Sequence, residues 1–215
     1  METTATRNET RRERRPEDRP QELVAAALDL FVEKGFTATR LDDVAARAGV
    51  SKGTLYLYFD SKEALFKAVI ESAVIPAVAQ GEQVVREFQG SSADLVRELV
   101  NGWWHLFGGT KLGGIPKLMI SEARNFPEVA QFYHEQVIQR GMRLFTGTIQ
   151  RGIESGEFRA VDVECAVQTL IAPLMMKALW RHSFVACGCG ITEIEPERFL
   201  KTTVDIFLNG LRASR

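Results

Sequence analysis

The stretch GVSKGTLYLYF, Gly49 to Phe59, predicts a short helix that begins after Ser51 and has one buried and one exposed side. Leu55 and Phe59 are four positions apart and share a helical face. Leu57 lies roughly 200° around the helix from Leu55, because an α-helix has 3.6 residues per turn. A large apolar side chain therefore points away from the core that Leu55 and Phe59 join, and this indicates a contact surface.

Two helices are predicted before this stretch. Apolar positions at helical spacing run from Gln21 to Lys34, and a lysine followed by Gly35 is a typical helix end. Thr39 then precedes an amphipathic segment, and Asp42 follows it three residues later. This spacing predicts a capping box, with Asp in place of the usual Glu or Gln.

Only a short turn separates the second helix from the third. Gly49 is predicted to end one helix, and Ser51 is a strong candidate to cap the next. Two short helices joined by a glycine-containing turn form a helix-turn-helix, whose second helix enters the major groove in DNA-binding proteins of this kind. A further cap at 60–63 begins a longer helix, which we expect to be disturbed near Pro76.

The outward side of the third helix suits a duplex groove. Lys52 and Lys62, at its two ends, can pair with phosphates. The hydroxyls of Thr54 and Tyr58 can donate to phosphate or base, and Leu57 can touch a thymine methyl. The alternatives are a helix-turn-helix that is only a packing motif and a Leu57 that lies in a protein interface. Gly53 lets the backbone approach closely, because glycine has no side chain.

Composition sets limits on the class of protein. The 215 residues contain 45% hydrophobic and 26% charged residues, which is ordinary for a globular chain. The net charge is −1, and residues 1–65 hold eleven Lys or Arg against twelve Asp or Glu. The case for DNA therefore depends on where the charges lie. The apolar stretches are interrupted by residues such as Pro173, and no signal peptide is visible, so we expect a cytoplasmic protein with no membrane partner.

One segment carries a dense resemblance to a known family. GFTATRLDDVAARAGVSKGTLYLYFDSKEALF, Gly35 to Phe66, closely resembles the DNA-binding segment of the tetracycline-repressor (TetR) family of bacterial transcription regulators. With the preceding helix, the resemblance covers about residues 19–66. It implies an all-α fold: an N-terminal three-helix helix-turn-helix DNA-binding domain and a C-terminal helical ligand-binding and dimerisation domain. It also implies a homodimer that binds a near-palindromic operator DNA.

The resemblance assigns contacts by position. Position 57 is often polar in the family, so Leu57 departs from the pattern. Thr39 and Arg40 are implied to contact a phosphate at the start of the second helix. The groove and phosphate contacts implied around the third helix are Lys52, Gly53, Thr54, Tyr56, Tyr58 and Lys62.

Three parts of the chain differ in composition and pattern. Residues 1–18 are predicted to be a flexible arginine-rich arm, residues 19–66 the DNA-binding domain, and residues 67–215 the ligand-binding and dimerisation domain. The last part shows helical periodicity and no strand alternation. A helix from Asp162 to about Val185 and a last one from Pro196 are predicted to form the dimer face.

The C-terminal part is rich in aromatic and thioether side chains. Such residues can line a permissive site, although most of them pack a core. They predict a small lipophilic effector. The candidate ligand-binding residues are Trp103, Trp104, Phe107, Met119, Phe132, Tyr133, Met142, Phe145, Met175, Met176 and Trp180.

Two other kinds of function remain as alternatives. Cys187 and Cys189, between glycines, could bind a soft metal or respond to oxidation, with Cys165 as a third thiolate if the fold brings it near. Reduced thiols are the expectation for the three cysteines. No phosphate loop, zinc-binding histidine pair or nucleophile elbow indicates an enzyme, and no cofactor is implied. We expect a ligand-responsive regulator, with repression as the expected sign.

Overall fold

The computed structural model describes residues 19–188 and 192–212, and the predicted arm at 1–18 lies outside them. Within the described ranges the chain is all-α, as predicted: it has no strand, and a single antiparallel bridge joins Phe158 to Arg212. The α-helices are α1 Arg19–Lys34, α2 Leu41–Ala48, α3 Lys52–Tyr56, α4 Lys62–Val69, α5 Ile75–Glu87, α6 Ser92–Trp103, α7 Gly114–Glu122, α8 Pro127–Tyr133, α9 Gln139–Glu154, α10 Val163–Trp180 and α11 Pro196–Leu211.

Several helices continue through short π-helical segments. Between α4 and α5 the Ile75 amide donates to the Ile70 carbonyl, five residues earlier, and Pro76 follows with no amide hydrogen to donate. The wider turn therefore accommodates the proline without ending the helix. The π segments of the described chain are Ile70–Val74, Trp104–Gly108, His134–Ile138 and Arg181–Val185.

The predicted helix ends are largely confirmed. Ser51 caps α3, where its hydroxyl accepts the Thr54 amide at 3.0 Å. Gly49 follows α2 in the left-handed region with φ 68°, which glycine adopts without strain. Asp162 caps α10 by accepting the amide of Cys165.

A first hydrophobic cluster holds α1 to α4 together. Phe31, Phe36 and Phe66 pack together with ring centroids 5.3 to 5.4 Å apart, and Phe66 meets the other two rings edge to face. Phe126, beyond α7, closes on the Phe36 ring at 4.5 Å, and the cluster continues into α7 and α8. The core of the first four helices is thus continuous with that of α7 and α8, and the predicted division after residue 66 remains a prediction.

A second hydrophobic cluster lies between α6, α9, α10 and α11. Leu95 and Val96 of α6 pack with Ile149 of α9 and with Leu170 of α10, all almost fully buried. The amphipathic periodicity of α6, α9 and α11 produces this cluster, whereas α10 is apolar on more than one side and contributes one of its sides. The two clusters leave a cavity between α5, α6, α7, α9 and α10.

The helix predicted from Asp162 to about Val185 is confirmed, and the disturbance predicted near Pro76 is the π segment Ile70–Val74. Pro76 lies within a continuous helix over Lys62–Glu87, and Pro173 lies inside α10, in a continuous helix over Val163–Val185. Both helices are long and apolar enough to cross a membrane by length and composition. This is weak evidence for a membrane span, since helices that contribute to a hydrophobic core meet the same criteria.

Candidate nucleic-acid interface and ligand cavity

The exposed side of α3 carries the large apolar and aromatic side chains that the sequence predicted there. Leu55 is fully buried, whereas Leu57 is 82% exposed. Tyr56 and Tyr58 flank it and are also exposed. We call Tyr56, Leu57 and Tyr58 the α3 face. Tyr56 is the last residue of α3, and Leu57 and Tyr58 follow it in the turn. Exposing this much apolar surface at one helix end is unfavourable in water, so the α3 face is suited to a contact.

The polar groups around the α3 face make exposed, local interactions that a bound duplex can replace. Lys52 Nζ lies 2.9 Å from an Asp42 carboxylate oxygen, and both side chains are mostly exposed. The hydrogen bond to Asp42 raises the pKa of Lys52, so the ammonium stays charged. Because exposed ion pairs contribute little to stability, a DNA phosphate can replace the Asp42 carboxylate as the partner of Lys52. Thr54 shares a hydrogen bond with the Ser51 hydroxyl at 2.8 Å, and Gly53 is exposed.

The structure does not favour a phosphate contact by the Thr39 side chain, and it leaves the Arg40 side chain exposed. Thr39 is 1% exposed, and its hydroxyl donates to the carbonyls of Gly35 at 2.7 Å and Leu30 at 3.2 Å. It therefore fastens the turn after α1 and cannot reach a phosphate with its side chain. The N-cap position of α2 is Arg40, which is exposed and makes no side-chain cap bond. The capping box predicted with Asp42 does not form.

Lys62 also differs from its predicted role. Its ammonium donates to the carbonyl oxygens of Phe36, Thr37 and Thr39, at 2.7, 3.2 and 3.1 Å. It also lies 4.6 Å from the centroid of the Phe36 ring. Burial lowers the pKa of this ammonium. A lysine ammonium has three N–H donors, and here all three bind backbone carbonyls of the turn between α1 and α2. The geometry therefore favours a structural role over a phosphate contact, and we call this set of hydrogen bonds the Lys62 clamp.

The cavity has a volume of about 580 Å³, within the usual range for small-molecule sites. Its walls come from α5, α6, α7, α8, α9, α10 and the π segments between them, and most lining atoms are apolar. Seven of the eleven ligand-binding candidates line it. These are Trp103, Phe107, Met119, Tyr133, Met142, Phe145 and Met175.

Four candidates do not line the cavity. Trp104 is buried in the second cluster, with the Arg181 guanidinium 6.0 Å from its ring. Phe132 packs on the first cluster beneath the Lys67 ammonium. Met176 and Trp180 are about half exposed on the outer side of α10. Met176 and Trp180 are four positions apart and share one side of α10, whereas Met175 lies about 100° around the helix from Met176, so only Met175 of this group lines the cavity.

Aliphatic residues complete the walls, and sequence reasoning missed them. Val74 and Val78 come from the helix that begins at Lys62, and Leu99 comes from α6. Nothing in their residue type distinguishes them from core residues. Spacing was a usable signal, because Val74, Val78 and Gly81 follow one another at three- and four-residue steps on the helix that leaves the helix-turn-helix.

Polar groups are few in the cavity. Tyr133 is 5% exposed, and burial alone raises the pKa of its phenol. Gln80, Glu98 and His105 line the cavity at exposed positions, as do Ile120 and Ile138. We call these five residues the rim. The interior is therefore apolar with one phenol, and the polar groups lie near solvent.

The cysteines are not gathered into a site among the described residues. Cys165 is a free, exposed thiol near the start of α10. Cys187 lies in the turn after the π segment Arg181–Val185, and Cys189 lies outside the described ranges, so the expectation of reduced thiols for these two stays a prediction. Within those ranges no group of three metal-ligating side chains occurs. The metal or thiol alternative gains no support from the structure.

Helix α7 contacts both the cavity and the first helices. Met119 lines the cavity, and the Glu122 carboxylate accepts the Thr37 hydroxyl at 2.8 Å. Phe126 follows and packs its edge on Phe36. Hydrogen bonds from Asn125 and Thr37 lower the pKa of Glu122. The α1–α2 turn is thus held by Lys62 from one side and by the end of α7 from the other.

Comparison with protein families identifies both halves of the chain. Residues 23–69 match the model described as bacterial regulatory proteins, tetR family. Residues 89–186 match the model of a tetracyclin repressor-like C-terminal domain. The first match contains the helix-turn-helix and the second contains most of the cavity wall. The two models describe parts of the same kind of protein, in the order found here.

Individual relatives agree with these matches. The HTH-type transcriptional regulator EthR of Mycolicibacterium smegmatis is 27% identical over 88% of this chain and 84% of its own length. An uncharacterized HTH-type transcriptional regulator of Bacillus subtilis, YdeS, is 28% identical over 73% of this chain and 76% of its own length. The crystal structure of FadR from Bacillus subtilis in complex with stearoyl-CoA superposes with a TM-score of 0.74 and 18% identity, covering 89% of this chain and 99% of that one. At that identity the likeness concerns the fold.

Proposed function

We propose that this chain, which belongs to the tetR family of bacterial regulatory proteins and is a DNA-binding transcription regulator, is a repressor released from its operator by a lipophilic small molecule. It acts as a homodimer on a near-palindromic duplex. The effector occupies the cavity between α5, α6, α7, α9 and α10. A regulator of this kind works in the cytoplasm, where its DNA is.

The observation that carries the proposal is the single helix from Lys62 to Glu87. It begins with the lysine that clamps the α1–α2 turn, and its later residues Val74, Val78 and Gly81 line the cavity. A ligand that displaces this wall moves the same rigid element that positions the helix-turn-helix. This is a physical connection between two sites, as an allosteric mechanism requires.

Helix α7 supplies a second connection of the same kind. Its cavity-lining residue Met119 lies one turn before Glu122, which holds Thr37. Thr37 belongs to the turn whose carbonyls Lys62 also binds. A displacement of either helix thus acts on one turn, the one that leads into α2. The proposal therefore needs no third element to carry the signal.

The α3 face is the proposed reading surface. Tyr56 and Leu57 contact base edges, and Tyr58 contacts backbone or base, because all three are exposed side by side at the end of α3 and in the turn after it. Lys52 and Arg40 are the proposed phosphate contacts, since both are exposed and lie at helix starts. Gly53 and Thr54 keep the backbone close to the duplex.

Exposed apolar residues on α10 and α11 support the proposed dimer. Met176, Trp180 and Phe184 lie four residues apart along α10 and its π segment, so they form one stripe. Ile206 of α11 is 69% exposed. A contiguous apolar stripe on the surface is costly in water and typical of an interface. Two copies related by a two-fold axis place their α3 helices about one helical turn of DNA apart, or a multiple of it.

Selection of bound fragments from a genomic library, followed by footprinting, tests the proposal directly. The expected result is a protected near-palindrome bound by two chains, as measured by sedimentation of the complex. A stable monomer at micromolar concentration, with and without DNA, contradicts the dimer. Protection that no lipophile reverses contradicts the ligand response and leaves DNA binding intact.

A further inference from the structure

Tyr133 presents an unused hydrogen-bonding group to the cavity. Its side chain is 5% exposed and lines the wall, and no described residue hydrogen-bonds to its hydroxyl. The Tyr133 hydroxyl is open to the cavity and is not enclosed by core atoms. Among the described residues, the one fully enclosed side-chain polar atom without a hydrogen-bond partner is Nε2 of His182. A buried polar group without a partner is unfavourable, so this hydroxyl is suited to a ligand atom.

The described lining contains no lysine or arginine, and its titratable side chains are Glu98 and His105 at the rim and Tyr133 inside. Arg140 precedes the lining residue Gly141, but its guanidinium donates to both carboxylate oxygens of Glu82, at 2.8 and 2.9 Å. That arginine is committed to an ion pair that holds α9 to α5.

From these two observations we infer that the effector is an uncharged lipophile whose polar group hydrogen-bonds to the Tyr133 hydroxyl, and that free fatty acid anions and acyl-CoA thioesters are excluded. The inference rests on the proposed function and narrows its ligand class. It separates this chain from the FadR structure, which was solved with stearoyl-CoA.

The selectivity follows from desolvation. A carboxylate that enters this cavity leaves water and gains no cation, so it must first take up a proton. The multiply charged head group of an acyl-CoA meets the Glu98 carboxylate and the His105 imidazole at the rim, where no lysine or arginine is among the described lining residues. An alcohol loses one hydrogen bond to water on entry and regains one from Tyr133. The cavity thus distinguishes ligands of equal chain length by their charge.

A matched set of ligands tests the inference on the full-length protein. The probes are 1-octanol, octanoate, octanoyl-CoA and naphthalene, each measured by displacement of an uncharged fluorescent dye. At pH 8 we expect 1-octanol to bind more tightly than octanoate by about a thousandfold or more, since an ordinary carboxyl titrates roughly three to four units lower and only about one molecule in a thousand or fewer is neutral. Octanoate should bind about tenfold more tightly for each unit that the pH falls toward 6, whereas 1-octanol should not change.

Tyr133→Phe tests the hydrogen bond with little change in volume. The variant should bind 1-octanol about three to ten times more weakly and naphthalene with unchanged affinity, because naphthalene has no hydrogen-bonding group. Equal weakening of both ligands would assign Tyr133 a packing role and overturn the inference. Octanoate or octanoyl-CoA binding as tightly as 1-octanol overturns the ligand class alone. Failure of all four probes, naphthalene included, overturns the proposed lipophile site and the inference with it.

Discussion

The ammonium nitrogen of Lys62 lies 2.7 Å from the carbonyl oxygen of Phe36, across a gap of 26 residues in sequence. This bond fixes the start of the helix that lines the cavity to the turn between α1 and α2. The Phe36 ring lies beneath the same ammonium, at 4.6 Å, and packs on Phe126 from the other side. One turn therefore receives contacts from both elements that reach the cavity.

Lys62→Met should lower stability and leave the salt dependence of DNA binding nearly unchanged. The methionine keeps the aliphatic stem but leaves the buried carbonyl of Phe36 without its donor, at a cost of about 1–3 kcal/mol. The measurements are the denaturant midpoint and the slope of log affinity against log salt concentration. Lys52→Met is the matched variant: it should leave the midpoint unchanged and lower that slope by about one unit. The reverse pattern would restore Lys62 as the phosphate contact.

Tyr56→Ala should change sequence preference and leave the salt slope intact. Tyr56 is an exposed aromatic residue of the α3 face and carries no charge. Its loss therefore removes a base contact without changing the number of counterions released on DNA binding. The expected cost is about 1–3 kcal/mol on the best operator, with relaxed preference at one position. Selection from a randomised operator library measures it. Uniform weakening across all library members would identify Tyr56 as a backbone contact.

Trp180→Glu should convert the dimer to a monomer at micromolar concentration. Trp180 is 45% exposed in the middle of the stripe on α10, and a charge there would be buried without a partner in the proposed interface. Sedimentation with and without operator measures the change. Ala79→Glu, at a position on α5 away from that stripe, adds the same charge elsewhere and should stay dimeric. A dimer that survives Trp180→Glu would place the interface on another surface.

The features that are predictable from sequence depend on neighbours close in the chain. Ser51 and Asp162 cap helices through amides three residues away, and the opposite positions of Leu55 and Leu57 follow from helical geometry alone. The clamp formed by Lys62 is not predictable in this way, because its acceptors lie 23 to 26 residues earlier, where no local pattern records them. Judged from its neighbours in sequence alone, a lysine at the edge of a DNA-binding helix suits a phosphate contact as well as a contact with the turn between α1 and α2.

The cavity is only partly predictable for a related reason. Residue type identifies the large and aromatic side chains, but the neighbours Trp103 and Trp104 end in different places, since Trp103 lines the cavity and Trp104 is buried in the second cluster. A side chain lines the cavity where neighbouring helices leave a gap, and it packs in the core where they touch. The positions of such gaps depend on how the helices are arranged in three dimensions. The continuity of the helix through Pro76 is likewise hidden, because the wider π turn that accommodates the proline is not visible in the pattern.

Gly152→Ala should destabilise the protein although alanine favours helices. A Cβ at Gly152 overlaps the ring of Phe158, which is buried beside α9, whereas a Cβ at Gly147 on the same helix meets nothing within 4 Å. We expect Gly152→Ala to cost about 1–3 kcal/mol through overpacking and Gly147→Ala to gain up to about 1 kcal/mol through helix propensity. Thermal or denaturant unfolding of both variants measures the difference. Equal effects would mean that the Phe158 ring moves aside freely.

The coupling between cavity and operator must be reciprocal. If 1-octanol binds the released state about tenfold more tightly at each site, it gains about 1.4 kcal/mol per site over the DNA-bound state. Two sites in a dimer then weaken operator binding about a hundredfold. Operator DNA must weaken 1-octanol binding by the same total factor, because both titrations close one thermodynamic cycle. Displacement titrations on free protein and on the operator complex measure one side of the cycle, and operator titrations with and without 1-octanol measure the other.

Glu122→Ala should reduce that coupling factor in both directions while leaving each affinity measured alone nearly unchanged. Glu122 touches neither the cavity nor the α3 face; its carboxylate holds Thr37, in the turn that leads into α2. Glu128→Ala, which removes an acid at the start of α8, is the matched control and should keep the full factor. A variant that retains the full hundredfold coupling would show that α7 carries none of the signal, which would leave the helix from Lys62 to Glu87 as its carrier. Equal 1-octanol affinities for free and operator-bound protein, in the unaltered chain, would exclude release by this ligand through either helix.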